Sequence, residues 1–336
     1  MAVNKEQVKQ YMLKLISAGD KEYAAKTVDS FGLSKSTVYN YAKQLCDDGI
    51  IIKRASEQYE LVNKVTSFRY NNENLSEDRV FNKDIAPLLT ECAKNAQSIW
   101  RYAFTEMMNN AIEHSGASVI NVTVLQNCLN TTVGISDNGM GIFKNIQNYM
   151  KTEKNDDIPL DECVSLLFAG KFTTAKANHS GEGIFFTSHM MDSFLIISDN
   201  NVFSRNSFTD KQITDISYEK GTIVTMSLHN QTKKTTLEVF NRFSDIDEGF
   251  TRTHIPIAHM FPAGNPVSRS EARRLSAVIS GFKEITLDFS NVEEVGQAFC
   301  HELFVLWQNK NPDIVLNIAE ANEAVDYMIK RVKNTK

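Results

Sequence analysis

Hydrophobic side chains recur every three or four positions through the first 47 residues, which is the spacing of one buried helical face. Gly32 ends the second of the three helices that this spacing predicts, and Ser34 caps the third over Lys35–Asp47. Residues 50–54 and 59–62 then predict a β-hairpin. The repeating positions are Val8, Met12, Leu13, Ile16, Ala24, Val28, Phe31, Val38, Tyr41, Ala42 and Leu45.

Beyond the hairpin, helical and strand-like patterns follow one another. Residues 66–83 are polar and rich in asparagine, which indicates a linker or the lead-in to a second domain. Residues 143–180 are a mixture of polar and charged residues. Helices are predicted at 84–93, 96–113 and 183–191, and strands at 119–124, 131–136, 194–198, 201–207, 213–218 and 222–228. This set predicts helices layered over a mixed sheet.

The last third of the chain predicts a small α/β unit. Residues 229–260 form a polar connector in this interpretation, and helix and strand patterns alternate after Val267. Helices are predicted at 269–279, 297–308 and 320–332, and strands at 284–289 and 313–317. The predicted fold class is therefore multidomain α+β, with domains at 1–65, 66–230 and 262–336 and a connector at 231–261.

Composition narrows the functional classes. The 336 residues are 42% hydrophobic and 23% charged, and the net charge of −5 gives no chain-wide basic field toward nucleic acid or membrane. The five cysteines have no CxxC spacing, which indicates reduced thiols without zinc. No apolar run approaches the roughly 20 residues that span a bilayer, and residues 1–14 contain no signal-peptide core. We therefore expect a cytoplasmic protein without a membrane partner.

Three polar clusters occur in order along the second domain. Glu106 and Asn110 are four residues apart on a predicted helix, so their side chains share one face. An amide oxygen suits Mg²⁺, and a carboxylate one turn earlier can accept a proton from an attacking water or hydroxyl. The second cluster is the Asp-x-Gly-x-Gly turn that begins at Asp137. In the third, Gly181 and Gly183 begin a helix whose free amides and macrodipole suit phosphate.

In this order the clusters resemble the ATP site of the GHKL superfamily, which includes gyrase, heat-shock chaperones, histidine kinases and MutL. The resemblance implies an α/β sandwich that binds ATP and Mg²⁺, with Asn110 as the metal ligand and Glu106 as the general base. It also implies that Asp137 accepts the adenine amino hydrogen. The other nucleotide-binding positions that it implies are Gly139, Gly141, Gly181, Gly183 and Thr222.

A further stretch before the third cluster resembles the lid of anti-sigma serine kinases. It implies that Lys171, Thr173 and Thr174 reach the γ-phosphate. Glu106 favours hydrolysis or hydroxyl phosphorylation, because histidine kinases usually have Asn at that position. His114 is open to two interpretations, a packed or capping residue and a functional one. We also expect residues 143–180 to be ordered only while γ-phosphate and metal are present.

The N-terminal pattern resembles a winged helix-turn-helix, which implies DNA binding through the third helix and the hairpin. Hydroxyl, amide and basic side chains on this helix are suited to contact phosphates or base edges. The alternative is a protein-interaction or dimer module, because acidic residues nearby leave only a slight basic excess. The candidate DNA-binding residues are Lys35, Ser36, Thr37, Tyr39, Asn40, Lys43, Lys53 and Arg54.

The C-terminal unit resembles a STAS-like domain of unknown function that is often fused to GHKL ATPases. Phosphorylated STAS proteins carry an acceptor Ser where this chain has Ala298. Since alanine has no hydroxyl, phosphorylation at that position is impossible. We therefore expect this unit to dock to a protein partner or to dimerise.

These features together predict a cytoplasmic regulator with ATP and Mg²⁺ as cofactors and DNA as a partner, in which binding or hydrolysis of ATP drives a transcriptional or signalling switch. An ATPase is the first enzyme class expected. One alternative is an anti-sigma-type Ser/Thr kinase that phosphorylates a separate protein. The other is a nucleotide-sensing interaction module without turnover.

Overall fold

The computed structural model describes residues 4–55, 58–153, 155–170, 182–205, 220–245, 247–261 and 264–334. These residues form a mixed α/β chain of several units. The predicted strand at 213–218 lies outside the described residues.

Three helices and a hairpin form the N-terminal unit. Gly32 ends α2 with a positive φ of 63°, and the Ser34 hydroxyl accepts the Thr37 N–H at the start of α3. The predicted inward positions Val8, Met12, Val38 and others are buried in one cluster, so the helix and hairpin predictions are confirmed. The elements are α1 Lys5–Ser17, α2 Tyr23–Phe31, α3 Lys35–Asp47, β1 Ile51–Ala55 and β2 Gln58–Leu61.

A larger sheet follows, with described strands in the order β3-β4-β5-β8-β6-β7. Every described pair in this sheet is antiparallel, so the prediction of a mixed sheet is wrong for these strands. Alternate residues of β5 and β8 are buried along their length, as expected where a sheet is covered on one face, whereas every residue of β6 is buried. The strands are β3 Lys64–Asn71, β4 Val119–Gln126, β5 Asn130–Asp137, β6 Ser193–Ser198, β7 Asn201–Arg205 and β8 Thr222–His229.

Helices cover the buried face of this sheet. The long helix α5 Lys94–Glu113 packs on β5 and β8 through Trp100, Phe104 and Met108, which are inaccessible to solvent. The short helix α4 Glu77–Val80 continues through a π-helical segment Phe81–Ile85 into a 3₁₀ turn Ala86–Leu89. The remaining helices here are α6 Ile142–Glu153, α7 Leu160–Ala169 and α8 Gly183–Met190.

Of the two interpretations of residues 66–83, the linker is wrong, and the segment is the lead-in to the second unit. Residues 64–71 form the edge strand β3, which pairs with β4 over its full length, and α4 begins at Glu77. The helical stretch predicted at 84–93 correspondingly begins earlier and ends at Leu89. An edge strand leaves most of its side chains open to solvent, so β3 carries polar residues and resembles a linker in sequence.

Residues 143–180, predicted as one polar segment ordered by nucleotide, contain α6 and α7. Both helices bury apolar side chains in the core, including Phe143, Ile146 and Phe168. Packing of this kind contributes to the stability of both helices. The expected ordering by nucleotide stays a prediction. Residues 171–180 lie outside the described part of the chain.

The connector predicted at 229–260 is also wrong over most of its length. It contains α9 Thr236–Phe243, the short pair β9 Ser244–Asp245 and β10 Gly249–Phe250, the strand β11 Arg252–Pro256 and α10 Ile257–Met260. β11 pairs in parallel with a strand of the C-terminal sheet, so this unit starts before residue 262. Such a pairing depends on residues about 30 positions away, and the local pattern carries little signal for it.

The C-terminal unit places helices on one face of a parallel sheet whose described order is β11-β12-β13. The predicted helix at 269–279 and the strand at 284–289 are confirmed to within one residue. Its elements are α11 Arg269–Ile279, β12 Glu284–Asp288, α12 Gln297–His301, a π-helical segment Glu302–Trp307, α13 Gln308–Lys310, β13 Val315–Ala319 and α14 Glu323–Asn334.

Close packing joins the units. Only Val62 and Asn63 separate β2 from β3, and Leu129 of the β4–β5 turn is buried in the N-terminal cluster. Phe250 contacts Phe185 of α8 on one side and Phe282 of the C-terminal unit on the other, with ring centroids 4.6 and 5.0 Å apart. No helix among the described residues is long and apolar enough to cross a membrane.

Candidate functional site

The candidate nucleotide site follows one face of α5. Glu106 and Asn110 lie one turn apart and both are partly exposed, while another face of the helix is buried against the sheet. His114 is the C-cap residue of α5; its N–H bonds to the Asn110 carbonyl, and its own carbonyl accepts from Asn145. These bonds agree with the capping interpretation of His114.

Gly183, the first residue of α8, lies against the Glu106 side chain. A β-carbon at position 183 would overlap the Glu106 carboxylate, so only glycine allows this approach. Burial raises the pKa of Tyr102, and the nearby negative charges of Glu106 and Glu182 add to this increase. Burial is the largest of these causes. The N-terminus of α8 and the Glu106 carboxylate therefore face the same space.

The Asp137 loop packs at the C-terminal end of α5. Gly139 packs so closely on the Ser115 carbonyl, just beyond α5, that a β-carbon would overlap it, and Met140 donates its N–H to the same carbonyl at 2.9 Å. Asp137 is 5% exposed, and its Oδ1 accepts the Gly139 N–H at 2.8 Å. The start of α8 thus contacts Glu106 in the middle of α5, and the Asp137 loop contacts Ser115 just beyond the end of this helix.

The electrostatics of Asp137 reflect two opposing effects. Burial raises the pKa of its carboxyl, and hydrogen bonds from the backbone N–H groups of Gly139 and Thr222 partly offset this increase. Buried carboxylate oxygens need hydrogen-bond donors, and these two N–H groups supply them to Asp137. Thr222 is itself buried, and its hydroxyl accepts the Ile142 N–H at 3.0 Å, which ties β8 to the start of α6.

Gly141 lies between this loop and the β6–β7 turn. It is buried beside Ser198 and Asp199, and the Asp199 carboxylate accepts the Lys144 N–H and forms a 2.8 Å ion pair with the Lys144 ammonium group. The Ser198 hydroxyl donates to the Gly221 carbonyl at 2.8 Å. Ser198 and Asp199 carry no recognisable motif in the sequence. The Asp-Asn pair at 199–200, with positive φ at both residues, is the one local sign of this turn.

The structure places Glu106 against Gly183, with Asn110 one turn further along α5, and it places Asp137 in a separate cluster of loops with Gly139, Gly141 and Thr222. The remaining predicted positions Lys171, Thr173, Thr174 and Gly181 lie outside the described residues.

Asn110 is the predicted metal ligand, and the side chains available to share a metal ion with it decide how such an ion could bind. Among the described residues, no group of three or more His, Cys, Asp or Glu side chains could hold a metal ion. Mg²⁺ often binds through one or two protein oxygens, completing its shell with water and substrate phosphates. A single, partly exposed amide oxygen at Asn110 fits that mode of binding and does not fit an all-protein metal cage.

The predicted DNA-binding residues lie on α3 and β1. Ser36, Asn40 and Lys43 are four and three residues apart on α3, are exposed and share one face, while Lys35 is exposed beside them. Thr37 and Tyr39 are partly buried, and the Ser36 hydroxyl bonds to Ser34. Lys53 is exposed on β1, but the guanidinium of Arg54 is held by Glu60 at 2.8 Å. This pairing reduces the basic charge at the hairpin.

Comparison with known proteins identifies the C-terminal part. Residues 271–326 match the family model of a STAS-like domain of unknown function (DUF4325). The matched stretch runs from α11 into α14, and Ala298 is exposed at the start of α12 within it. No curated protein matches the chain.

Proposed function

We propose that the chain is a regulatory protein that binds Mg-ATP at the α5 face and couples this event to its N-terminal and C-terminal units. The observation that supports this most strongly is that the start of α8 meets Glu106 in the middle of α5, while the buried Asp137 loop packs just beyond the end of the same helix. A glycine-led helix start suits phosphates, a buried carboxylate oxygen suits a base donor, and a second carboxylate can serve as a general base.

In this proposal the GHKL-like arrangement positions each part of the nucleotide. The Asp137 carboxylate accepts a hydrogen from the adenine amino group, and Gly139, Gly141 and Thr222 surround the base. The N–H groups at the start of α8 face the phosphates. Asn110 holds Mg²⁺, which neutralises phosphate charge when bound.

Glu106 supplies the chemistry that we propose for hydrolysis. Its carboxylate accepts a proton from a water molecule as the water oxygen attacks the γ-phosphorus. The bond between the γ-phosphorus and the bridging oxygen breaks, and its electrons leave with ADP. Gly183 limits where the Glu106 side chain can lie, so the base and the phosphate-facing helix start are positioned together.

Two routes in the fold support coupling. α8 begins at Gly183 and contacts Phe250 through Phe185, so a shift at the phosphates moves a residue that also packs on the C-terminal unit. The N-terminal unit packs on the β4–β5 turn through Leu129. Under this proposal the N-terminal unit acts as a winged helix that binds DNA, and the STAS-like unit binds a protein partner or a second copy.

Two other functions remain candidates. Transfer of phosphate to a Ser or Thr of a separate protein is supported by the same Glu106 geometry, since a hydroxyl can replace the attacking water. A nucleotide-sensing module without turnover is supported by the close packing of Gly183 on Glu106 and of Gly139 on Ser115.

The test is phosphate release from Mg-ATP by the full chain, run beside Glu106→Gln, with nucleotide binding measured for both. We expect release by the wild-type chain, and a decrease of about 10²- to 10⁴-fold in the variant with binding retained, because the amide fits the space but accepts no proton.

Binding without release by the wild-type chain would favour the kinase or the sensing module. The absence of saturable, Mg-dependent ATP binding would overturn the proposal as a whole.

A further inference from the structure

One side of the C-terminal unit leaves both its sheet and its helix layer unpaired. β12 is the only described strand that pairs with β13, so the far edge of β13 is open. In the helix layer, α11 packs on α12 and α12 packs on α14, so the helix order follows the strand order. The edge strand β13 and the outermost helix α14 therefore lie on the same side.

The open edge has the features of a pairing strand. Val315 donates its N–H to Lys283, and Ala319 accepts from Phe289, so residues 315, 317 and 319 turn their backbone groups toward β12. Leu316 and Ile318 turn theirs toward the open side. The segment contains no charge and no proline, and Val315 and Ile318 are 53% and 36% exposed. Soluble proteins usually protect such edges.

The exposed face of α14 carries acidic side chains in its first half and basic side chains in its second half. Glu323 and Asp326 lie in its first half and Lys330 and Arg331 in its second half, and these residues line one surface groove. Tyr327 lies between the two halves and is 64% exposed. Two such helices in antiparallel orientation bring each acidic half to the basic half of the other. An all-acidic or all-basic peptide would match only half of this face.

We propose that this side of the C-terminal unit binds a second copy of the chain about a two-fold axis at Asn317. The two β13 strands pair antiparallel, with Leu316 of each copy opposite Ile318 of the other, and the backbone groups of these residues form four hydrogen bonds. The two α14 helices lie antiparallel on the helix-covered face, with Tyr327 at their centre. Two sheets then continue as one, which removes the open edge.

This inference does not depend on nucleotide binding, because none of its residues belongs to the α5 site. Its first test is a cysteine placed on the axis of the full chain. The two-fold puts residue 317 opposite itself at about 4.5 Å between Cα atoms, which is within the range of a disulfide. Position 315 faces residue 319 of the second copy and not itself.

Asn317→Cys and Val315→Cys are compared in a chain whose Cys46 and Cys128 are replaced by serine. The other cysteines are buried, and burial raises the pKa of Cys163 and Cys300 to about 12, so they do not compete. We expect mild oxidation to convert most of the Asn317→Cys chain into a linked dimer and to leave Val315→Cys at background. Equal linkage in both variants, or none in either, would overturn the proposed register.

The second test exchanges charges on α14 and measures molar mass by light scattering over a dilution series. Glu323→Lys with Asp326→Lys makes the face basic, and Lys330→Glu with Arg331→Glu makes it acidic. We expect the wild-type chain to form dimers, each variant alone to lose about tenfold or more in self-association, and an equimolar mixture to recover it. Thermal unfolding checks that each variant is folded.

A control pair, Lys14→Glu with Arg269→Glu, changes the net charge by the same amount on other exposed surfaces and should dimerise as the wild-type chain does. A wild-type chain that is monomeric with and without Mg-ATP, or variants that dimerise unchanged on their own, would overturn the inference.

Discussion

Gly183 approaches Glu106 so closely that the smallest added side chain would overlap the Glu106 carboxylate. The contact joins the start of α8 to the middle of α5, two elements about 70 residues apart in the chain. It makes the position of the proposed base depend on the backbone that faces the phosphates.

Gly183→Ala is therefore expected to move the Glu106 carboxylate and to reduce phosphate release by about 10²-fold or more. The atom displaced is the far end of a flexible side chain, so the free energy of unfolding should change little. Gly134→Ala is the matched control, since its β-carbon would have only an ordinary contact with the Thr123 carbonyl at 3.9 Å. Equal activity in both variants would show that the contact does not position the base.

Asn110→Ala should abolish the part of ATP affinity that depends on Mg²⁺, because the variant loses the amide oxygen proposed to hold the ion. Asn109→Ala changes the neighbouring residue of α5 in the same way and should leave that dependence intact. The measurement is ATP binding with Mg²⁺ and with a chelator. An Mg²⁺ dependence that survives in Asn110→Ala would refute its role.

Asp137→Asn should weaken ATP binding by roughly 10- to 100-fold, since an amide can place a donor against the adenine amino group. The same change should maintain or raise the free energy of unfolding at pH 7. Burial raises the pKa of Asp137, so its ionisation opposes folding. This cost is absent below the unfolded pKa of about 3.9 and develops as pH rises through the folded value.

Chemical unfolding of the wild-type chain and Asp137→Asn across pH checks this sign. The advantage of the variant should disappear toward pH 4. Asp156→Asn, at an exposed position, should affect neither binding nor stability. A variant that is less stable at pH 7 would show that the hydrogen bonds from Gly139 and Thr222 outweigh the cost of burial.

Arg205→Met is expected to leave the chain as stable as before or to stabilise it by about 1–4 kcal/mol. Among the described residues, Nε and Nη2 of Arg205 have no hydrogen-bond partner and are buried, and Nη1 lies 2.9 Å from Nε2 of His189. No described carboxylate pairs with this guanidinium, and burial and the nearby Arg242 charge lower its pKa to about 10. Methionine retains the length of the side chain and its packing on Phe168 and Phe185 without the buried charge.

The comparison is thermal and chemical unfolding of Arg205→Met beside Arg205→Lys. Lysine keeps a charge in the same place and should lower stability. A lower melting temperature for Arg205→Met than for Arg205→Lys would mean that the charge at this position contributes to folding.

Lys35→Ala with Lys43→Ala should weaken DNA binding at all sequences. The slope of log K against log salt concentration should become shallower by ~0.9 for each of the two phosphate contacts that are lost. Both side chains are exposed on the same helix. Lys14→Ala with Lys21→Ala removes the same charge from other exposed positions and should change neither quantity. Unaltered binding by the first pair would exclude α3 as the DNA-binding surface.

Several elements could be predicted from local sequence alone. α3 begins after the Ser34 cap and ends at Asp47 as predicted, and α11 spans Arg269–Ile279 as predicted, because capping residues and helical periodicity are properties of neighbouring residues. The glycines and acids of the candidate site could be named from short motifs, whose roles came from the resemblance to the GHKL superfamily. Strands β3 and β11 could not, since their polar, partly exposed residues form strands only through pairing with β4 and β12.

The sequence by itself determined the helix caps, the buried face of each helix and the identity of the residues proposed to bind nucleotide. Only the tertiary structure decided that Gly183 meets Glu106, that Ser198 and Asp199 brace Gly141, and that β13 and α14 share one open side. The physical reason is the distance along the chain over which each interaction acts. Backbone propensity and periodicity act over a few residues, whereas these contacts join segments that only strand pairing and core packing bring together.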